Sequence, residues 1–261
     1  MIDARVEQLR ATWAQWWPGA DTAAMAADVL ARAPAGLEVL AGGEVALVLA
    51  DAARVVKVQP RGHADDAFVA AEPRALVHWA PSGVVPRVHE VRDDGFTYVM
   101  DRIDPGTTAD DLAFEDRLDL LGALAARLHA CWPADLPRLE DGYARGWGPL
   151  PVGGDPVALH ADLHGGNALR AADGWRAIDP HAVVGDRHAD VWALIDPLAP
   201  APAGAREARA WIARYAQAAD LDPRRAAWWV AIRAAAEAHH GGDGDAAWVE
   251  RLRAWVALLA H

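Results

Sequence analysis

The sequence predicts an α+β protein in two lobes: a small strand-rich lobe over residues 1–103, opened by helices, and a larger helical lobe over 104–261. Three observations carry this. Short β-branched runs separated by glycine turns crowd residues 37–103. Helix-period apolar stripes dominate after residue 114. Between them, Asp104-Pro105-Gly106 interrupts both patterns and reads as a hinge.

The elements follow in order. Trp13, Trp16 and Trp17 share one face of a first helix, which Pro18-Gly19 stops, and Asp21 caps a second helix through Leu30. Leu37 to Ala50 reads as two strands joined at Ala41-Gly42-Gly43-Glu44, and Arg54 to Val58 as a third. Ala64 to Ala80 reads as one helix, with Pro73 as an interruption or first-turn residue. Val84–Val91 and Phe96–Ile103 are two further strands around the turn Arg92-Asp93-Asp94-Gly95. Phe114 to Ala130 carries Leu118, Leu121, Leu124, Ala125 and Leu128, the stripe of a core helix. Trp132 to Pro156 is Pro/Gly-rich and predicts an irregular loop. Three helices close the chain: Ala205–Ala219, one begun by Asp222-Pro223, and a last one capped by Asp245.

The 261 residues hold 25 Lys and Arg against 37 Asp and Glu, a formal charge of −12. That field repels nucleic acid and anionic membrane and favours cationic partners. A single cysteine, Cys131, excludes an internal disulfide and a CxxC zinc site. The N-terminal MIDARVEQLR mixes charge signs without an apolar stretch, so no signal peptide is visible. No apolar run nears the roughly 18 residues of a membrane span. The expectation is a cytoplasmic monomer with no nucleic-acid or membrane partner. A sharper fact is that all but one of the basic residues are arginine: Lys57 is the only lysine and Asn167 the only asparagine.

The segment that carries chemistry is Leu159 to Ala168, LHADLHGGNA. Asp162 and Asn167 stand at i and i+5, with His160 and His164 flanking the acid, and Asp179 follows twelve positions after Asn167 in RAIDPHAVVGD. Phosphoryl transfer from ATP asks for little covalent help and much positioning. One carboxylate takes a hydrogen bond from the attacking hydroxyl. A second carboxylate and a neutral oxygen hold Mg²⁺, which demands hard oxygen ligands. A compact cation reaches the phosphates. Asp162, Asp179, Asn167 and Lys57 supply these four roles in the chain order of kinase folds.

HADLHGGN resembles the HGDLHxxN catalytic signature of the aminoglycoside phosphotransferases and related small-molecule kinases. From Leu159 through Asp190, with IDP and then VVGDRHAD, the chain is most similar to the streptomycin 6-kinase and hydroxyurea-type antibiotic-resistance branch. The resemblance implies a protein kinase-like fold that binds ATP and Mg²⁺. It makes Asp162 the catalytic base, Asn167 and Asp179 the Mg²⁺ ligands, and Lys57 the phosphate-pairing lysine, held by Glu72. The backbone of Met100, Asp101 and Arg102 would meet the adenine, and Gly42 and Gly43 would cover the phosphates. Asp186 and Asp190 would brace the catalytic loop. His160 would shape it, with His164 doing the same or approaching substrate. The implied substrate is a small cationic aminoglycoside of the streptomycin type.

The chain departs from the family in places. Ala161 replaces the glycine before the catalytic acid, His181 stands where lysine is common, and Arg187 where the branch often has proline. Each motif also has a plainer reading: Asn167 as a turn cap, Gly42-Gly43 as a mere hairpin, Asp65 or Asp66 as the lysine's partner in place of Glu72. His160-x-Asp162-x-His164 also looks like a metallohydrolase fragment, but that leaves Lys57 and Asn167 without a role. A kinase of an endogenous sugar, amino alcohol or amino acid would share every named residue, as would most of a non-catalytic nucleotide-binding relative. The surface acids near helix starts read first as favourable to the helix dipole. Trp147 and Trp192 are the tryptophans placed to stack beside a cleft.

Overall fold

A computed structural model describes residues 2–40, 43, 45–131, 135–141, 147, 150, 153–240 and 246–260. Two helices come first, α1 (Ile2–Trp16) and α2 (Thr22–Arg32), the latter capped by the Asp21 carboxylate on the Ala24 amide at 3.0 Å. Five strands follow: β1 (Glu38–Val39), β2 (Leu47–Ala50), β3 (Arg54–Val58), β4 (Val88–Arg92) and β5 (Thr97–Asp101). They form one antiparallel sheet in the order β1-β2-β3-β5-β4. Between β3 and β4 lie α3 (Asp66–Val69) and α4 (Glu72–Trp79).

Strand alternation divides this sheet's two faces. Leu47, Leu49, Val56 and Val58 pack with Val6, Leu9, Trp13, Met25 and Val29 of α1 and α2. Val55, Tyr98 and Met100 join Ala75, Leu76 and Trp79 of α4 in the main core. Lys57, between Val56 and Val58, is thereby turned to the α4 side. One expectation is corrected here. The segment 64–80 is two helices, because Pro73 cannot donate a backbone hydrogen bond and is accommodated in the first turn of a new helix at Glu72.

The remainder is α5 (Phe114–His129), α6 (Trp192–Ile195), α7 (Ala205–Ala218), α8 (Pro223–His240) and α9 (Ala246–Leu259), with five more short strands. β6 (Pro105–Thr108), β8 (Ala168–Ala171) and β9 (Gly174–Ala177) make one sheet, and β7 (Pro156–Leu159) pairs with β10 (Val183–Asp186). The second half is mainly helical, as expected, with short strands that the sequence did not mark. Strands of only four residues, such as Ala-Leu-Arg-Ala in β8, carry too little period-2 signal to stand out beside strong helix stripes. The helices otherwise follow the predicted ranges closely. About half of the 132–156 segment and the Asp245 cap lie outside the described residues. The result is a kinase-like α+β fold, a strand-rich sheet region followed by a mainly helical remainder.

Candidate active site

The two short strand pairs assemble the site. In β8 and β9, Ala168 stands opposite Ala177, and the Ile178 amide donates to the Asn167 carbonyl at 2.9 Å. This hairpin closes the gap between Asn167 and the segment that carries Asp179. In β7 and β10, Leu159 stands opposite Val183, which holds the start of the 160–167 loop against the strand that follows Asp179.

Lys57 is buried, and its Nζ donates to both Glu72 oxygens, at 2.9 and 2.8 Å, and to Asp179 Oδ1. Of the three candidate acids, Glu72 is the partner; Asp65 accepts instead from Trp17 Nε1 at 2.8 Å, and Asp66 from the Gly62 amide at 3.0 Å. Burial alone would lower the lysine's pKa, but the carboxylates of Asp179 and Glu72 overcome that and hold it above its ordinary value. Burial pushes Glu72 up to about 7 against the pull of Lys57. Asp179 goes the other way: the ammonium outweighs burial and keeps it ionised. Its side chain is 40% exposed, so it opens to solvent where the Lys57 head does not.

Asp162 accepts from Asn167 Nδ2 at 3.0 Å, and the same amide reaches the Asp162 carbonyl at 2.9 Å. Its side chain is 20% exposed, with His164 Nε2 at 3.8 Å and His181 Nε2 at 4.0 Å from Oδ2. Burial raises its pKa to about 7, with His164 and Arg233 working against the rise. His160 is fully buried and donates from Nε2 to the Ile178 carbonyl at 3.0 Å, while Nδ1 faces the Asp162 amide at 3.4 Å. Both its ring nitrogens are engaged, so it shapes the loop and is withheld from metal binding. Gly165 and Gly166 are small for a reason: a Cβ on Gly165 would meet Arg117 Cδ at 2.9 Å and lie closer still to the Asp110 carboxylate. His164 Nδ1 accepts from the Gly166 amide at 3.2 Å.

Buried Asp190 braces the loop, accepting from the amides of His160 and Ala161 at 3.1 and 2.9 Å, with His129 Nε2 at 3.1 Å. Asp186 supports the outer end of the same strand pair. It takes Arg225 Nε at 2.6 Å, Trp229 Nε1 at 2.7 Å and His188 Nδ1 at 2.8 Å. Met100, Asp101 and Arg102 lie at the end of β5, where Asp101 and Arg102 donate their amides to the carbonyls of Arg87 and Ala53 at 3.0 and 2.9 Å. Those two donors are therefore engaged within the sheet. Gly43 has φ +78, a left-handed turn where side chains are disfavoured, and Gly42 lies outside the described residues.

Residues 155–244 match the family described as aminoglycoside/hydroxyurea antibiotic resistance kinase. That match spans about a third of the chain, so this stretch is similar to the aminoglycoside phosphotransferase family. No curated protein matches its sequence. Solved structures share its fold at low identity. Choline kinase LicA from Streptococcus pneumoniae aligns at TM-score 0.61 and 13% identity over 90% of this chain and 96% of that one. The amicoumacin kinase hAmiN, solved with AMP-PNP, Ca²⁺ and Ami, gives 0.58 and 14% over 87% and 88%. The streptomycin-ATP-APH(2")-IIa ternary complex gives 0.53 and 17% over 86% and 90%.

Two residues of the 160–167 loop carry a cost worth measuring. Ala161 has φ +60, the left-handed region in which a Cβ is disfavoured by about 1 kcal/mol or more, so the family's glycine there has a steric reason. Ala161→Gly is expected to raise the unfolding free energy by about 1 kcal/mol in urea titrations; an equal loss would mean that the buried methyl's packing outweighs the strain. His160, lowered by burial to about 4, lies well under the ordinary histidine range. A depressed pKa means that unfolding takes up a proton between about 6.5 and 4. Its contribution is thus complete above that window and lost as pH falls through it. Glu72 and Asp162, raised to about 7, act in the opposite direction over the same window, so the test is the difference between proteins. From pH 7 to 5 His160→Gln should lose less stability, or gain more, than wild type, and parallel slopes would refute the assignment.

The helix α8 supplies what the motif reading missed. Arg233 Nη2 donates to the Ala161 carbonyl at 2.6 Å. Its guanidinium lies over the rings of Trp192 and Trp147, 4.4 and 5.8 Å from their centroids. These are the two tryptophans expected beside a cleft, and the group they stack on is this arginine. A signal was present: Arg233 is four residues after Trp229 and three after Val230, on the buried stripe of the helix. Among the described residues, no group of three or more His, Cys, Asp and Glu is placed to hold a metal ion.

Proposed function

We propose that this protein transfers the γ-phosphoryl group of ATP to a hydroxyl of a small cationic molecule of the streptomycin type. The observation that carries the reading is the Lys57–Glu72–Asp179 junction, which joins elements 122 residues apart beside the Asp162–Asn167 bond. A glutamate-held ammonium at the end of an apolar strand is suited to phosphate oxygens. The lobe boundary at 103/104 belongs to the same proposal, since it sets the nucleotide between the sheet and the 160–179 segment.

Asp162 would accept the hydrogen bond of the acceptor hydroxyl and take its proton as the oxygen bonds to phosphorus and ADP departs. A carboxylate held near neutrality by burial is matched to that task. Asn167 would keep the carboxylate aimed, because its amide grips both the side chain and the carbonyl of Asp162. The donor set also fits Mg²⁺: an amide oxygen at Asn167 and a half-open carboxylate at Asp179 are hard ligands drawn together by the β8–β9 hairpin. Mg²⁺ bound there would neutralise phosphate charge. Asp190 and His160 would fix the loop backbone. With the amides of Asp101 and Arg102 engaged, adenine contacts at this segment would fall to its carbonyls or to the chain beyond Arg102. Gly42 and Gly43 would cover the phosphates by backbone approach.

The test is ATP consumption in Mg²⁺ with streptomycin and with a panel of sugars, amino alcohols and amino acids. Streptomycin-dependent turnover with a phosphorylated product by mass spectrometry is the expected result. Turnover confined to a metabolite would keep the chemistry and replace the acceptor, and ATP binding without any turnover would refute catalysis. The formal charge of −12 supports a cationic acceptor.

A further inference from the structure

We infer that Arg233 is a positioning residue for phosphoryl transfer: from the far helix α8 it clamps the Ala161–Asp162 peptide and so aims the catalytic carboxylate. The inference rests on the kinase reading above, but its geometry stands apart from that reading.

The peptide in question is under strain. Ala161 is held at φ +60, a conformation an L-residue leaves readily unless its surroundings fix it. Two groups fix it from opposite sides. Asp190 Oδ1 accepts the Ala161 amide at 2.9 Å, and Arg233 Nη2 donates to the Ala161 carbonyl at 2.6 Å. The plane of that peptide sets where the next Cα–Cβ bond points, which is that of Asp162. Asn167 holds the carboxylate only from the other end of the loop, at 3.0 Å. Release of the Ala161 carbonyl would therefore let the peptide relax and carry the carboxylate with it.

Arg233 is itself immobilised. It is buried, its guanidinium lies over the Trp192 and Trp147 rings, and Glu237 Oε1 is 3.8 Å from Nε one helical turn on. A planar cation stacked on indoles is a rigid donor, which lysine cannot reproduce. Arg233 engages the Ala161 carbonyl of the catalytic loop, whereas the Lys57 ammonium is held by Glu72 and Asp179. The clamp should thus act on turnover and leave nucleotide affinity nearly intact.

Arg233→Met and Arg233→Lys test this, with Mg²⁺·ATP affinity by calorimetry, steady-state kinetics with streptomycin or the acceptor that wild type uses, and hydrogen exchange of the 159–168 peptide. Arg233→Met is expected to lose about 100-fold in kcat, the scale of a 1 Å misplacement, while ATP affinity and KM change by less than about twofold. Added guanidinium ion should restore part of the rate, Arg233→Lys should fall between the two, and the 159–168 amides should exchange faster in Arg233→Met. Wild-type kcat in Arg233→Met overturns the inference, as does a loss spread equally over kcat and ATP affinity with no guanidinium rescue. If wild type turns over no acceptor, the kinase reading fails by itself, and the clamp is then decided by exchange alone: unchanged protection of 159–168 in Arg233→Met refutes it.

Discussion

Asp162→Asn is expected to lower acceptor phosphorylation by on the order of 10³-fold while Mg²⁺·ATP still binds. The amide is nearly isosteric, so the loop keeps its shape, but it cannot take the proton that leaves the hydroxyl. Its place beside Asn167 adds a second effect, since two amides must now find a workable orientation where a carboxylate accepted freely. Steady-state kinetics on the acceptor, with ATP affinity by calorimetry, separate the outcomes. Unchanged turnover would remove Asp162 from the mechanism. Parallel loss of turnover and ATP affinity would mark it as part of the nucleotide site instead.

Lys57→Met is expected to remove activity and to destabilise the fold as well. The substitution leaves Glu72 buried without the ammonium that its two oxygens share. Removing one partner of a buried pair costs about 3–5 kcal/mol, and the lower end applies here because half-open Asp179 can recover water. Glu72 must then take a proton to remain buried. A carboxyl whose folded pKa is raised above its unfolded one contributes stability at low pH and loses it as pH rises. The deficit of Lys57→Met should accordingly be smaller at pH 6 than at pH 8 in urea titrations. Lys57→Arg is the complementary variant: it keeps the charge, but a planar guanidinium does not reproduce a compact ammonium in this pocket. A pH-independent deficit would show that Glu72 stays ionised without its partner.

Much of this site was legible in the sequence because it rests on local rules. Val-Val-Lys-Val in a strand turns Lys57 to the face opposite Val56 and Val58, whatever lies on that face. A chain with a single lysine and a single asparagine concentrates attention on Lys57 and Asn167, and both stand in the site. Pro73 left open an interruption or a first turn, and the structure makes it the first turn of a helix that Glu72 begins. The strands β6 to β10 were not legible, since four residues leave almost no period to detect.

By itself, then, the sequence determined which face each strand residue takes, the order of the four groups that phosphoryl transfer needs, and the family signature around them. Only the tertiary structure decided that Glu72, and not Asp65 or Asp66, holds Lys57, that the amides of Asp101 and Arg102 are engaged in the sheet, and that Arg233 reaches Ala161 from α8. The reason is physical. Periodicity and turn chemistry act within a few residues, whereas these contacts span fourteen to seventy-two residues and depend on how helices and sheets pack. Ala161 lies on both sides of that divide: its departure from the family glycine is visible in the sequence, but the left-handed strain it creates, and the two groups that hold it, exist only in the folded chain.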